Sequence, residues 1–133
     1  MRRISIAIVG ALALSACAKT TYDSSVTEAP AVSTTTTLPT GTVAELLPRL
    51  VAESGKLSDA IANNEHKSDR IALIDNLWDA VRPQIQAQDG VAAVNFEGAV
   101  KLCQLGAKFN RPADADKCFR NLQALTGSFL GQS

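Results

Sequence analysis

The chain has 133 residues, 46% hydrophobic and 20% charged, with 13 Lys+Arg balancing 13 Asp+Glu, 3 Cys and 1 His. That length bounds it to one small folded domain, and a formal charge of zero excludes a general nucleic-acid binder, which needs a clear basic excess. A single His beside three Cys argues against most metal sites built from those ligands, so no metal and no cofactor is expected.

At the N-terminus, Met1-Arg2-Arg3 is a short positive segment followed by an apolar run over residues 4–14, ISIAIVGALAL. That layout predicts a secretory signal. The run reaches fifteen residues at most before Lys19, short of the roughly 20 that a membrane-crossing helix needs. It ends in Leu14-Ser15-Ala16-Cys17, which resembles the lipobox of bacterial lipoprotein precursors: an aliphatic residue, two small ones, then Cys. The resemblance covers the signal segment alone and assigns the folded part to no family. It implies cleavage before Cys17, whose sulfur then carries a thioether-linked diacylglyceryl group. Each buried CH₂ contributes about 0.8 kcal/mol, so two or three palmitate-length chains hold firmly where one exchanges. An ordinary secretory signal with an incidental Cys is the alternative, and Ser5 disfavours a twin-arginine signal at Arg2-Arg3. Residues 1–16 are thus expected to be removed, leaving a slightly acidic extracytoplasmic protein, lipid-anchored to the cell membrane or to an outer membrane where the host has one.

Residues 17–42 follow as the lipidated Cys and a tether. Twelve of the twenty-five residues over 18–42 are Ser or Thr, and Tyr22, Val26, Val32 and Leu38 are the sizeable apolar side chains. Such a segment buries too little surface to offset its ordering entropy and is expected to be disordered. Fully extended, a tether of that length reaches about 80 Å. The run over residues 34–37 resembles the Thr-rich linkers of lipoproteins, a candidate for O-glycosylation or a bare spacer.

Residues 43–133 read as helices. Thr42 followed by Glu45 is a capping-box pattern, and apolar residues then recur from Val43 through Leu46, Leu47, Leu50 and Leu57 to Ile61, predicting a first helix over residues 43–63. Pro48 is expected to kink it or to split off its first turn. A second helix is expected to open near Ser68 or Asp69, with Ile71, Ile74, Trp78, Val81 and Ile85 as its seam and a bend at Pro83. A third is expected from about Val91, with Asn95 as an alternative start, burying Val94, Ala99, Val100, Leu102, Cys103 and Leu105 toward Phe109. Asn110-Arg111-Pro112 breaks the chain, and Pro112 suits the first turn of a fourth helix that buries Ala115, Cys118, Phe119, Leu122, Leu125, Phe129 and Leu130 before Gly131. No stretch alternates with period two for long enough to be a strand. The expected fold is all-α, a small antiparallel four-helix bundle.

Cys103 and Cys118 lie about two turns either side of the Asn110-Arg111-Pro112 bend, where antiparallel helices bring equidistant positions level. In an exported chain they are expected to form a disulfide, closing a loop of about sixteen residues for roughly 3 kcal/mol. Two buried thiols or a redox pair are the alternatives, and the latter more often shows Cys-x-x-Cys.

Candidate chemistry is sparse. His66 stands in a polar inter-helix segment and reads as a solvated residue, the sharper alternative being a haem or metal ligand. Asp75 and Asp79, one turn apart, suit a solvated face with Arg82 nearby, the alternatives being a cation site or an acid/base pair. No phosphate loop, nucleophile elbow or zinc signature is present, so a catalytic residue is not expected. Charge is uneven: residues 43–98 hold nine acids and five bases, and residues 99–133 two acids and five bases. Lys101, Lys108, Arg111, Lys117 and Arg120 form a candidate patch for an anionic partner, a cell-envelope protein or polymer, unless they merely complement the acidic half. The expected function is a membrane-anchored, non-catalytic interaction module at the envelope. A carrier of a small apolar ligand or haem between the helices is the alternative.

Overall fold

Apolar residues at helical spacing form five segments: α1 (Val43–Gly55), α2 (Leu57–Asn63), α3 (Lys67–Gln88), α4 (Gly90–Phe109) and α5 (Pro112–Gly131). The structure, a computed structural model, describes residues 37–131. The expected signal segment over residues 1–16, the lipobox-like run ending in Cys17 and the expected tether up to residue 36 lie outside the described residues. Within them there is no strand, and no helix is long and apolar enough to cross a membrane.

Four of the helices close a ring in which α1 packs on α3 and α5, and α4 packs on the same two from the other side. Short links make sequential neighbours antiparallel: Asp89 alone joins α3 to α4, and Asn110 with Arg111 joins α4 to α5. This is the all-α bundle expected from the periodicity. At one end the Gln84 side-chain amide donates to the Gly41 carbonyl at 3.0 Å, fixing the chain beside the last turns of α3 as it enters α1. At the other end α2 lies against α3, α4 and α5, and Ser58 Oγ donates to the Pro112 carbonyl at 3.3 Å.

The first predicted helix is two. It breaks at Lys56, beside Gly55, where an added Cβ would stand 3.2 Å from the Phe119 ring. The contact with α5 turns α2 across the end of the core, where Leu57 and Ile61 are buried. The expected disruptions at the prolines do not occur, and α1 and α3 continue through Pro48 and Pro83. Both prolines are exposed, and so are Ala44 and Asp79, whose carbonyls lose their helical donors, so water can take the place of the missing bonds.

α1 starts where the capping box placed it: the Thr42 N–H and Oγ both donate to Glu45 Oε2, at 2.8 and 3.0 Å. Those bonds hold the exposed Glu45 carboxyl below its ordinary range, the backbone donor having the larger effect. α4 starts at Gly90, because Asp89 Oδ1 accepts from the N–H groups of Val91 and Ala92 at 2.8 and 3.0 Å. Asn95 is therefore an exposed mid-helix residue and not a cap.

The core is continuous. Trp78 is buried and stacks on Phe96 with ring centroids 6.2 Å apart, and the Phe129 ring meets Phe96 edge-on at 6.1 Å. Phe96 is fully buried, whereas Val94, expected inside, is 68% exposed. The buried face of α4 is rotated from the expected one and runs through Ala93, Phe96, Ala99, Val100, Cys103 and Ala107.

Candidate functional site

Among the described residues, α4 and α5 pack closely along their length and are joined covalently. An added Cβ at Gly106 would stand 3.0 Å from the Ala115 nitrogen and 3.1 Å from the Arg111 oxygen, so glycine is what lets the two backbones approach. Asn110 ends α4 in the left-handed region at φ 52°, and the Arg111 N–H reaches back to the Gly106 carbonyl at 2.8 Å. Two turns from this bend Cys103 and Cys118 are joined as a disulfide, with Cα atoms 5.3 Å apart and both side chains fully buried. The equidistant pair read from the sequence is the pair that forms.

The tip of the α4–α5 hairpin presents charge. Lys108 Nζ lies 5.4 Å and Arg111 Cζ 5.5 Å from the centroid of the Phe109 ring, which is 53% exposed. Lys67, at the start of α3, donates from Nζ to the Asn110 side-chain oxygen and so adds a third cation at the bend. Arg111 NH1 also lies 3.6 Å from Asp114 Oδ2, in the first turn of α5. All five predicted patch residues, Lys101, Lys108, Arg111, Lys117 and Arg120, are exposed. The fold does not gather them equally. Lys108 and Arg111 converge on Phe109, whereas Lys101 is seven residues up the helix from Lys108, about 10 Å away along the axis. Lys117 and Arg120 face solvent farther along α5.

Two members of the tip were not in the predicted patch. Phe109 reads as the last residue of a buried stripe, but it closes α4 on the face turned away from the core, with Val91 and Val94, and is exposed. Lys67 lies 43 residues from Asn110, and nothing local in the sequence links them.

The acidic candidates separate. Asp75 is half-buried and accepts from the Gln104 side-chain amide at 2.9 Å, which ties α3 to α4. Asp79 is exposed and shares no ion pair with Arg82. His66 caps the α2–α3 link at φ 50°, its side chain 79% exposed with Nδ1 3.5 Å from Asp69 Oδ2. Among the described residues no group of three His, Cys, Asp or Glu side chains converges as metal ligands do. One carboxylate does sit among cations: Glu53 meets Lys56 Nζ at 2.7 Å and Arg70 NH1 at 2.5 Å. The Lys56 bond leads in holding its carboxyl below the ordinary range, against the opposing effect of burial, and Arg70 adds to it.

Surface clefts lie between α4 and α5, lined by Asn95, Asn121, Ala124 and Leu125, and at the end where the chain enters α1, lined by Thr42, Val43, Gln84 and Leu130. No protein-family model matches this chain, and neither a curated protein nor a solved structure matches it.

Proposed function

We propose that the chain is a lipoprotein anchored on the extracytoplasmic side of a membrane through acylated Cys17, with a non-catalytic bundle that binds an anionic component of the cell envelope. The lipobox Leu14-Ser15-Ala16-Cys17 supports the address. The Cys103–Cys118 disulfide is consistent with it, since such bonds persist in oxidising compartments. The observation that carries the binding role is the hairpin tip, where Lys108 and Arg111 flank a half-exposed aromatic ring on a disulfide-braced turn. Cations gathered beside an exposed apolar ring offer an anionic group both charge and contact surface.

The test uses the full chain from its own host. Cys17→Ala is expected to abolish acylation by intact mass and to move the protein from the lipid-anchored fraction to an uncleaved or soluble form. In binding to isolated envelope fractions, neutralising Lys108 and Arg111 together to Gln is expected to weaken association at least about tenfold at low salt. Wild-type binding should fall toward the variant's as salt shortens the Debye length from about 10 Å at 0.1 M. Binding that ignores both the substitutions and the salt overturns the reading.

A further inference from the structure

α4 carries two apolar stripes, and the bundle uses one. The inner stripe, through Phe96, Val100 and Cys103, is buried. The outer one recurs at Val91, Val94, Gly98, Leu102, Leu105 and Phe109, in steps of three and four that hold a single helix face. Val91 is 72% exposed, Val94 68% and Phe109 53%, three of the four exposed large hydrophobic residues among those described. Leu102 and Leu105 are only half-covered.

Gly98, at the middle of this face, is not required by packing inside one molecule. It is helical with ordinary φ, and a Cβ added there meets nothing within 4 Å. Glycine weakens a helix interior, so its place on an open surface suits a neighbour that approaches closely from outside. Gly106 on the same helix shows the contrast, since α5 occupies the space its side chain would need.

The spacing of the stripe identifies that neighbour. Read from either end it has the same steps to within one residue, with small residues toward the start and large ones toward the finish. A second α4 laid antiparallel sets Val91 against Phe109, Val94 against Leu105 and Gly98 against Leu102, and each contact repeats across the two-fold axis. The flank is complementary too. Glu97 and Lys101 are exposed, one turn apart, and neither has an ion-pair partner among the described residues. In the antiparallel arrangement Glu97 of each copy lies beside Lys101 of the other. We propose that the outer face of α4 is the interface of a two-fold symmetric dimer of this chain, centred on Gly98 and Leu102. Such an interface is self-complementary and closes at two copies. It leaves Arg111 and Lys108 at its rims and does not depend on the anion-binding reading.

Sedimentation velocity of the full chain in detergent, over about a hundredfold range of concentration, should show a monomer–dimer equilibrium. Val94→Glu and Gly98→Leu should each raise the dissociation constant at least about tenfold, while thermal melting followed by circular dichroism shows the fold intact. Glu97→Lys should weaken the dimer similarly, and adding Lys101→Glu should restore it to within about threefold. A monomer at every concentration overturns the proposal, as does a dimer unmoved by Val94→Glu and Gly98→Leu. If the Cys17→Ala chain stays monomeric but floats with anionic vesicles only while Val94 is intact, the face belongs to a lipid surface and the dimer is likewise overturned.

Discussion

Thr126 is buried on α5 with its hydroxyl lacking a hydrogen-bond partner, alone in this among the buried side-chain nitrogen and oxygen atoms described. A buried hydroxyl left without a partner costs about 1–3 kcal/mol relative to a satisfied one, and Val has the same shape without it. Thr126→Val is therefore expected to stabilise the bundle by about 1 kcal/mol, read as a rise in melting temperature of roughly 4–8 °C. Individual residues were unevenly legible in the sequence. Cys103 and Cys118 could be paired because both lie equally far from a marked bend. Phe96 was missed because Val94 and Phe96 offer two apolar phases on one helix, and only the second fits against Trp78.

The helices themselves follow local rules wherever a cap or a bend residue sets their ends. Thr42 with Glu45, and Pro112, each mark a start that the structure keeps, while Asp89 caps α4 at Gly90, one residue ahead of the expected Val91. The α1–α2 break is different, because Gly55 yields there to the Phe119 ring from the far end of the chain. Glu53 then locks the new corner to α3 through Arg70 while also holding Lys56 at the break. Its carboxyl titrates below the ordinary value of 4.5. A group whose folded pKa is lowered adds stability that is fully present above the unfolded pKa and is lost as pH falls through the folded one. Glu53→Gln should cost about 1 kcal/mol or less at neutral pH. Melting temperatures taken from neutral pH down through the carboxylate range should show the gap between wild type and variant narrowing below the ordinary Glu value; a constant gap would remove Glu53 as a source of the acid sensitivity.

At the scale of the molecule the disulfide joins residues 15 apart in sequence and closes the hairpin on which the cationic tip rests. A loop of that size predicts roughly 3 kcal/mol of stability from restricting the unfolded chain. Replacing Cys103 and Cys118 together with Ala or Ser should therefore lower the melting temperature by more than about 10 °C, which scanning calorimetry would measure. The tip and the outer face of α4 lie on one hairpin, so the substitution should also weaken both proposed associations. An antiparallel dimer puts its two Thr42 residues near opposite ends of α4, about 30 Å apart for a 20-residue helix.

Helical class, most helix starts and the disulfide partners were settled by the sequence alone, because periodicity, capping and loop length act over a few residues at a time. Three features were decided only by the tertiary structure: the turn of α2 across the core, the face of α4 that goes inside, and the meeting of Lys67 with the α4–α5 bend. Each depends on surfaces supplied by distant helices. Where a segment offers two apolar faces or a helix passes a glycine, local preference is nearly balanced, and the side with more area to bury prevails.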